Sequence, residues 1–468
     1  MLRFLKMKQS SIKYICLLIL ILFGATACRK AQDFSESEQD PRLSGGSQTS
    51  FNNGSGAFDQ SFFGLSAHDQ LIHDIGDTKF SSAFVTAPAH VNPGIGPLFN
   101  NISCGSCHPS QGSGSPPQAG QNAGLESFFL LLSNGGVDVY GAPADVPGFG
   151  NQLQNNSSYG KPKEGDYNVT YTNQTFTYPD GTTAILRVPT YNIVNTYLPF
   201  SANIKVSPRM APSVFGLGLL DNIGDATLLA MSNQASTDTN IFYGKPNYVW
   251  DVVKNKMSIG KFGHKCERPT LEQQVAEALQ QDIGITNKLF PTENCVNQSQ
   301  YYDDGLNPEI TDSTLSALVY YMKTIAVPAR RNVTDPQVLR GEQLFKQAKC
   351  AGCHRPTIVT DVSITLPQLS NQTIHPYSDL LLHDLGSGLA DGRAVYSATG
   401  QEWRTCPLWG IGLTQIVTGQ TSFLHDGRAS TLEQAILWHG GQANYSKIFF
   451  THLPKNDRDA VIAFLNSL

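Results

Sequence analysis

The chain has 468 residues, with 33 Lys and Arg against 38 Asp and Glu, a formal net charge of -5. That length allows two or three domains with real cores. The four basic residues ahead of Cys28 (Arg3, Lys6, Lys8, Lys13) have no acidic neighbours, so without them the charge falls from -5 to -9. A mildly acidic chain argues against nucleic acid as a partner.

The N-terminus reads as an export signal. A basic start leads into "YICLLILILFGATAC", an apolar run of h-region length that ends in small residues. It is too short and too one-sided for a spanning helix. Ala25-Thr26-Ala27-Cys28 resembles a bacterial lipobox, which makes residues 1–28 a lipoprotein signal peptide and Cys28 a lipid anchor. Ordinary signal cleavage nearby is the alternative. The expected location is outside the cytoplasm, in the periplasm or at the outer membrane, anchored to a membrane rather than spanning it. Residues 29–58, rich in Ser, Gly and Asn, read as a disordered tether.

Residues 59–330 are expected to form the first folded unit. Near its start stands "NISCGSCHPS" (101–110), and "KCAGCHRP" (349–356) repeats the pattern. In a CxxCH segment two thiols can form thioethers with the two vinyl groups of one porphyrin, and the following His lies beneath the iron. Cys104, Cys107 and His108 are therefore assigned to one haem c, and Cys350, Cys353 and His354 to a second. A zinc site or a thioredoxin-like pair is the competing reading, disfavoured by two copies with the following His in an exported chain. Eighteen residues past His108, Glu126 precedes the apolar run "SFFLLLS", read as a helix; Glu126 is the candidate acid–base residue, its plainer role being a helix-start position.

Between 137 and 200, "YNVTYTNQTFTYPDGTTAILRVP" alternates aromatic or β-branched residues with polar ones around Asp180-Gly181, which predicts a β-hairpin insert. "TDSTLSALVYYMKTIAVP" predicts an amphipathic helix capped by Thr311 or Asp312 and closed by Pro328. "ARRN" follows as a linker. The second unit, 335–468, opens on a helix at Asp335-Pro336 and closes on the helix "NDRDAVIAFLNSL". Helix, CxxCH, loops and closing helix resemble a cytochrome c domain.

The two halves also repeat. "FGHKCERPTLEQ" (262–273) matches "FLHDGRASTLEQ" (423–434), and "RMAPSVFGLGLL" (209–220) echoes "RTCPLWGIGLT" (404–414). His439, eight residues past Thr431, is the candidate sixth ligand of the C-terminal haem; the plainer reading is a helix-end histidine. The matching place after Thr270 is Ala278, which cannot bind iron. His264 and His425 are candidates for haem propionate contacts, with His264 also able to fill the first haem's open face, and Arg209 and Arg404 are candidate propionate partners. His68, His73, His90, His375 and His383 read as core or surface residues. Of the nine cysteines, Cys266, Cys295 and Cys406 stand outside the signal and the haem motifs; Cys266 and Cys295 could pair, leaving Cys406 free.

"GIGPLFNNISCGSCHP", "SPRMAPSVFGLGLLDNI", "KFGHKCERPTLEQQVAEALQQDIGITNKLFPTENC", "HPYSDLLLHDLGSGLADG" and the C-terminal run through "TLEQAILWHGG" resemble the bacterial di-haem cytochrome c peroxidases, in particular the di-haem oxidoreductase branch often labelled thiol oxidoreductases. The resemblance implies a mainly α fold of two cytochrome c-like domains, the first with the β-hairpin insert, and two covalently bound haem c groups. It also implies a divided peroxidase chemistry, in which one haem takes H₂O₂ and the other receives electrons from a small cytochrome or cupredoxin. Two features depart from the pattern. His439 stands where the peroxidases commonly carry Met, which lowers that haem's potential, and His264 stands where the branch would carry Trp. A dithiol active site beyond the haem cysteines is absent. The alternatives to a peroxidase are a pure electron-transfer di-haem cytochrome and a haem oxidase acting on a partner protein.

Overall fold

Short polar side chains, which satisfy the free N–H groups of a first helical turn, set where the helices begin. The computed structural model describes residues 40–125, 127–201, 203–302, 305 and 308–468. The expected signal peptide with Cys28, tether residues 29–39 and Glu126 lie outside the described residues. Helix α1 (Ala67–Ser81) starts at Ser66, whose hydroxyl accepts from Asp69 N–H. Then come strands β1 (Phe128–Ser133), β2 (Asp166–Thr177), β3 (Thr183–Val194) and β4 (Lys205–Met210). Helices α2 (Leu271–Ala278), α3 (Asp312–Lys323) and α4 (Pro336–Gln347) begin at Thr270, Thr311 and Asp335, each with a side-chain oxygen on a first-turn N–H. Short strands β5 (Leu382–Asp384) and β6 (Glu402–Arg404) pair antiparallel, and helices α5 (Leu432–Trp438) and α6 (Lys455–Ser467) complete the chain.

The repeated TLEQ is a repeated helix start. Thr270 accepts from Gln273 N–H at 3.2 Å and Thr431 from Gln434 N–H at 3.1 Å. The same four residues thus launch α2 in one half and α5 in the other.

Two helix pairs form the scaffolds behind the CxxCH turns. α1 packs on α3, with His73, Gly76 and Phe80 inward; any side chain at Gly76 would collide with the Ala317 carbonyl. α4 packs on α6, with the Phe345 and Phe464 rings 5.1 Å apart. Burying each such aromatic side chain stabilises the fold by roughly 1.5–3 kcal/mol.

A mainly α fold is not what forms. Of the described residues, 29% are helical and 19% strand, and they include seven two-stranded sheets. The run expected as a helix after Glu126 is instead β1, paired antiparallel with β4 from Phe128↔Met210 to Ser133↔Lys205. Phe128, Leu130 and Leu132 are fully buried. A short continuous apolar run carries no period that separates a buried strand from a buried helix, which explains the error.

The hairpin forms where expected, β2 against β3 from Asp166↔Val194 to Thr177↔Thr183. It does not stay with the first half. Tyr178 and Leu186 share a core cluster with Val338, Leu344 and Phe464, Tyr178 donates to Glu433 at 2.7 Å, and Asp180 pairs with Arg458 at 2.8 Å. Residues 40–468 form one compact unit, with no break at the expected boundary near 330–335. The "ARRN" segment is held in place: Arg330 is buried and pairs with Glu342 at 2.6 Å, and Arg331 donates to Asn466 and Leu468 carbonyls. The two-domain cytochrome layout is therefore not seen.

Residues 40–58, expected as part of the disordered tether, are folded. Within 40–58, Thr49–Ser50 pairs in parallel with Val327–Pro328, and Phe58 stacks on Phe215 at 4.3 Å. Its polar residues are partnered: Gln48 accepts from Phe63 N–H at 2.9 Å, and Thr49 donates to Gly46 O at 2.8 Å. Buried polar side chains are tolerated when hydrogen-bonded, which composition alone does not reveal.

Candidate functional site

Cys104–Cys107 is a single helical turn, opened by Ser103, which accepts from Ser106 N–H. His108 ends it, and its Nδ1 donates to Pro212 O at 2.6 Å. The second motif is built alike: Cys350–Gly352 is a 3₁₀ turn, and His354 Nδ1 donates to Tyr377 O at 2.9 Å. A carbonyl on Nδ1 fixes the tautomer that leaves Nε2 as the lone-pair donor, the usual second contact of an iron- or zinc-bound imidazole. Burial holds both rings down at about 4, so both imidazoles are neutral at pH 7; His439 is the second cause at His354. Burial likewise pushes Cys104 and Cys350 up to about 12 and Cys107 well above the ordinary thiol range. Such thiols are not poised as thiolates, which disfavours the thioredoxin-like reading. Among the described residues no group of three or more His, Cys, Asp and Glu is arranged to hold a metal ion by itself.

Both motifs face one continuous cavity of about 720 Å³. His439 lines it at the C-terminal end of α5, with Nδ1 donating to Ala435 O at 2.7 Å. It shares the orientation of His108 and His354, with Nε2 left over. At the matching place on α2 stands Ala278, and the helix then widens into a π turn, Leu279–Ile283. Gln152, Gln274, Glu277, Gln281 and Asp282 line the cavity there.

Charge between the two motifs is incompletely paired. Arg209, 4% exposed, has no hydrogen bond on Nε, Nη1 or Nη2. Its nearest carboxylates are Asp391 at 3.5 Å and Glu267 at 3.6 Å, and it lies 4.5 Å over the Trp403 ring. Arg404 also has an orphaned Nε, while its Nη1 donates to Lys261 O at 3.0 Å. Both line the cavity. Buried guanidinium nitrogens facing a cavity suit a carboxylate-bearing occupant. Three carbonyl-oriented imidazoles, two CxxC turns and these arginines together fit haem, with its iron, vinyl groups and propionates.

The structure gathers most of the residues singled out from the sequence. Both CxxCH motifs, His264, His425, His439, Arg209 and Arg404 all line the cavity. His264 Nε2 is engaged by Met210 O at 2.8 Å, which places that nitrogen in a backbone contact. His425 stacks on Trp403 at 3.7 Å. The expected Cys266–Cys295 disulfide is absent; both are free buried thiols, and Cys266 donates to Leu380 O at 3.2 Å.

Three residues escaped the sequence reading. Trp403, on β6, stacks on His425 and has Arg209 and Lys265 each 4.5 Å from its ring. His383, expected as ordinary core or surface, is buried, with Nε2 2.8 Å from Asp379 and Nδ1 3.2 Å from Cys353 Sγ. Burial opposes its charge, but Asp379 prevails and raises it well above the ordinary imidazole range. Asp282 is the third. The "HDLG" and "EWR" contexts of His383 and Trp403 hold no spacing signal; β5–β6 pairing, His383↔Trp403, brings them together.

A family model described as "Di-haem oxidoreductase, putative peroxidase" matches residues 39–468. Among solved structures, a MauG-like protein associated with microbial copper homeostasis aligns at 17% identity and a TM-score of 0.27, over 55% of this chain and 89% of that one. Kuenenia stuttgartiensis hydrazine synthase aligns at 18% identity and a TM-score of 0.23, over 34% of this chain. The chain spans only 56% of that synthase chain. At such scores neither structure carries weight for fold or activity. No curated protein matches.

Proposed function

The chain belongs to the di-haem oxidoreductase family, and from that premise we propose that it is a c-type peroxidase, reducing H₂O₂ to water with two electrons from a small cytochrome or cupredoxin. The observation that carries this reading is the inequality of the two sites. His354 shares the cavity with a second carbonyl-oriented imidazole, His439, whereas the place matching His439 on α2 is Ala278. Haem supplies the redox chemistry, confined to electron transfer where strong ligands occupy both iron faces and open to a small oxidant where one face is free.

The chain's own residues do the rest. Cys104 and Cys107 would hold one porphyrin by thioethers, and Cys350 and Cys353 the other. His108 and His354, their rings fixed by the Pro212 and Tyr377 carbonyls, would bind the irons. Arg209 and Arg404 would neutralise propionates. His439 in place of a thioether ligand lowers the potential of the C-terminal centre, so its donor must itself be strongly reducing. Glu126, the acid–base candidate from the sequence, lies outside the described residues. Anchoring through Cys28 would keep the protein outside the cytoplasm, where small redox proteins can reach it.

The test is mass spectrometry of the exported protein followed by turnover. Two haem adducts, one on each CxxCH peptide, and peroxide-dependent oxidation of a reduced small cytochrome are expected. Two adducts without peroxide turnover would leave an electron carrier and refute the peroxidase.

A further inference from the structure

α2 does not end as α5 does. α5 stops at His439, whereas α2 passes Ala278 and continues as the π turn Leu279–Ile283. Single π turns inside helices recur at functional sites because they turn a side chain out of the regular register. Here the turn carries Asp282 to the cavity wall. The residue is tied to the loop before the CxxCH motif by two direct bonds and, through Gln152, by a third. Its carbonyl accepts from Asn100 N–H at 2.8 Å and Asn101 N–H at 3.0 Å. Its Oδ1 accepts from Gln152 Nε2 at 2.8 Å, and the same Gln152 nitrogen donates to Asn100 Oδ1 at 2.7 Å. Cys104 lies only four residues beyond Asn100.

We propose that Asp282 is the proton-exchanging residue on the open face of the N-terminal haem, taking the proton of an incoming hydroperoxide and returning it to the departing oxygen. This rests on the reading that His108 holds a haem whose other face lacks a protein ligand. Gln152 fixes one carboxyl oxygen, and the other is left to the cavity. The charged and titratable groups around it are few. Glu277 and Arg268 face it from α2 and its approach, and they are ion-paired with each other; the sulfurs of Cys104 and Cys107 face it uncharged, as thiols or as thioethers once haem is attached. Among the described residues, no cation therefore binds the carboxylate directly. Burial, opposed by the Gln152 bond, raised by Glu277 and lowered by Arg268, leaves it at about 7. That is where a group that both accepts and donates a proton at neutral pH is most effective. The proton taken by Asp282 returns to the leaving oxygen, which departs as the first water; the second oxygen becomes water with two electrons from the donor protein and two protons from solvent.

The probe is cyanide, a neutral acid in this range that binds ferric haem as the anion and so must first give its proton to an acceptor. In the full two-haem protein, the cyanide association rate should rise about tenfold per pH unit up to about pH 7 and then level, following ionisation of one carboxyl group. D282N should lose that slope while keeping the haem spectrum, and D282E should regain it. Difference infrared spectra should show a protonated-carboxyl band that disappears as pH rises through about 7 and is missing in D282N. A slope retained in D282N, or lost in E126Q but not in D282N, would overturn the proposal. Absence of a haem adduct on Cys104 and Cys107 would instead remove the N-terminal haem itself, a result visible by mass before cyanide is added.

Discussion

Asp379→Asn tests the charge state assigned to the C-terminal site. His383 has an acceptor on each side: the Asp379 carboxylate 2.8 Å from Nε2 and Gln442 Oε1 3.2 Å from Nδ1. Gln442 Oε1 also accepts from Asp384 N–H at 3.3 Å, which supports its orientation as an oxygen. Two acceptors call for two N–H donors, hence an imidazolium. His383 and Asp379 are each 2% exposed, so the pair sits where little water screens it. Breaking a buried ion pair typically costs 3–5 kcal/mol, roughly, when the orphaned charge cannot disappear. An imidazolium can shed its proton, so the loss falls toward that of a charge-assisted hydrogen bond, about 1.5–3 kcal/mol. The sign follows from linkage. His383 is raised above the ordinary 6.5, so its stabilisation is fully present below 6.5 and fades as pH rises through the folded-state value. Urea unfolding followed at the Soret band should therefore show wild type ahead of D379N by about 2 kcal/mol near pH 6, with the gap narrowing in alkaline buffer. A gap that is constant with pH, or absent at low pH, would refute the imidazolium assignment.

Three further outcomes are expected. H439A should convert the C-terminal haem from low to high spin in the absorption spectrum; an unchanged spectrum would remove His439 from the ligand set. G76A should destabilise the α1–α3 pair by about 1–3 kcal/mol, the usual cost of overpacking, because its methyl would collide with the Ala317 carbonyl; an unshifted thermal midpoint would count against that contact. Y178F should cost about 1 kcal/mol by removing the 2.7 Å bond from the hairpin to Glu433, read as a lower urea midpoint with unchanged haem spectra.

What could be read from the sequence was local. Thr270, Thr311, Thr431 and Asp335 cap helices because a side-chain oxygen within three residues of an N–H needs no tertiary partner. Asp180-Gly181 and the alternation around it gave the hairpin for the same reason, and CxxCH carries its geometry in four bonds of chain. What could not be read was assembled across distance. Strand β1 is apolar from Phe128 to Leu132, so only its pairing with β4 decides its state. The polar segment 40–58 folds because partners such as Val327 and Phe215 lie far along the chain. The single unit spanning 40–468 follows from a hairpin that leaves one half and enters the core of the other. Asp282, Trp403 and His383 are unremarkable residues in sequence; a π turn and a three-residue ladder make them part of the cavity wall.

Unequal axial surroundings are the centre of this account, and electron paramagnetic resonance of the fully oxidised protein reads them directly. One low-spin ferric signal from the His354–His439 centre and one high-spin signal from the His108 centre, the latter altered by peroxide or cyanide, is the predicted spectrum. Two low-spin signals that ignore both additions in every redox state would contradict it.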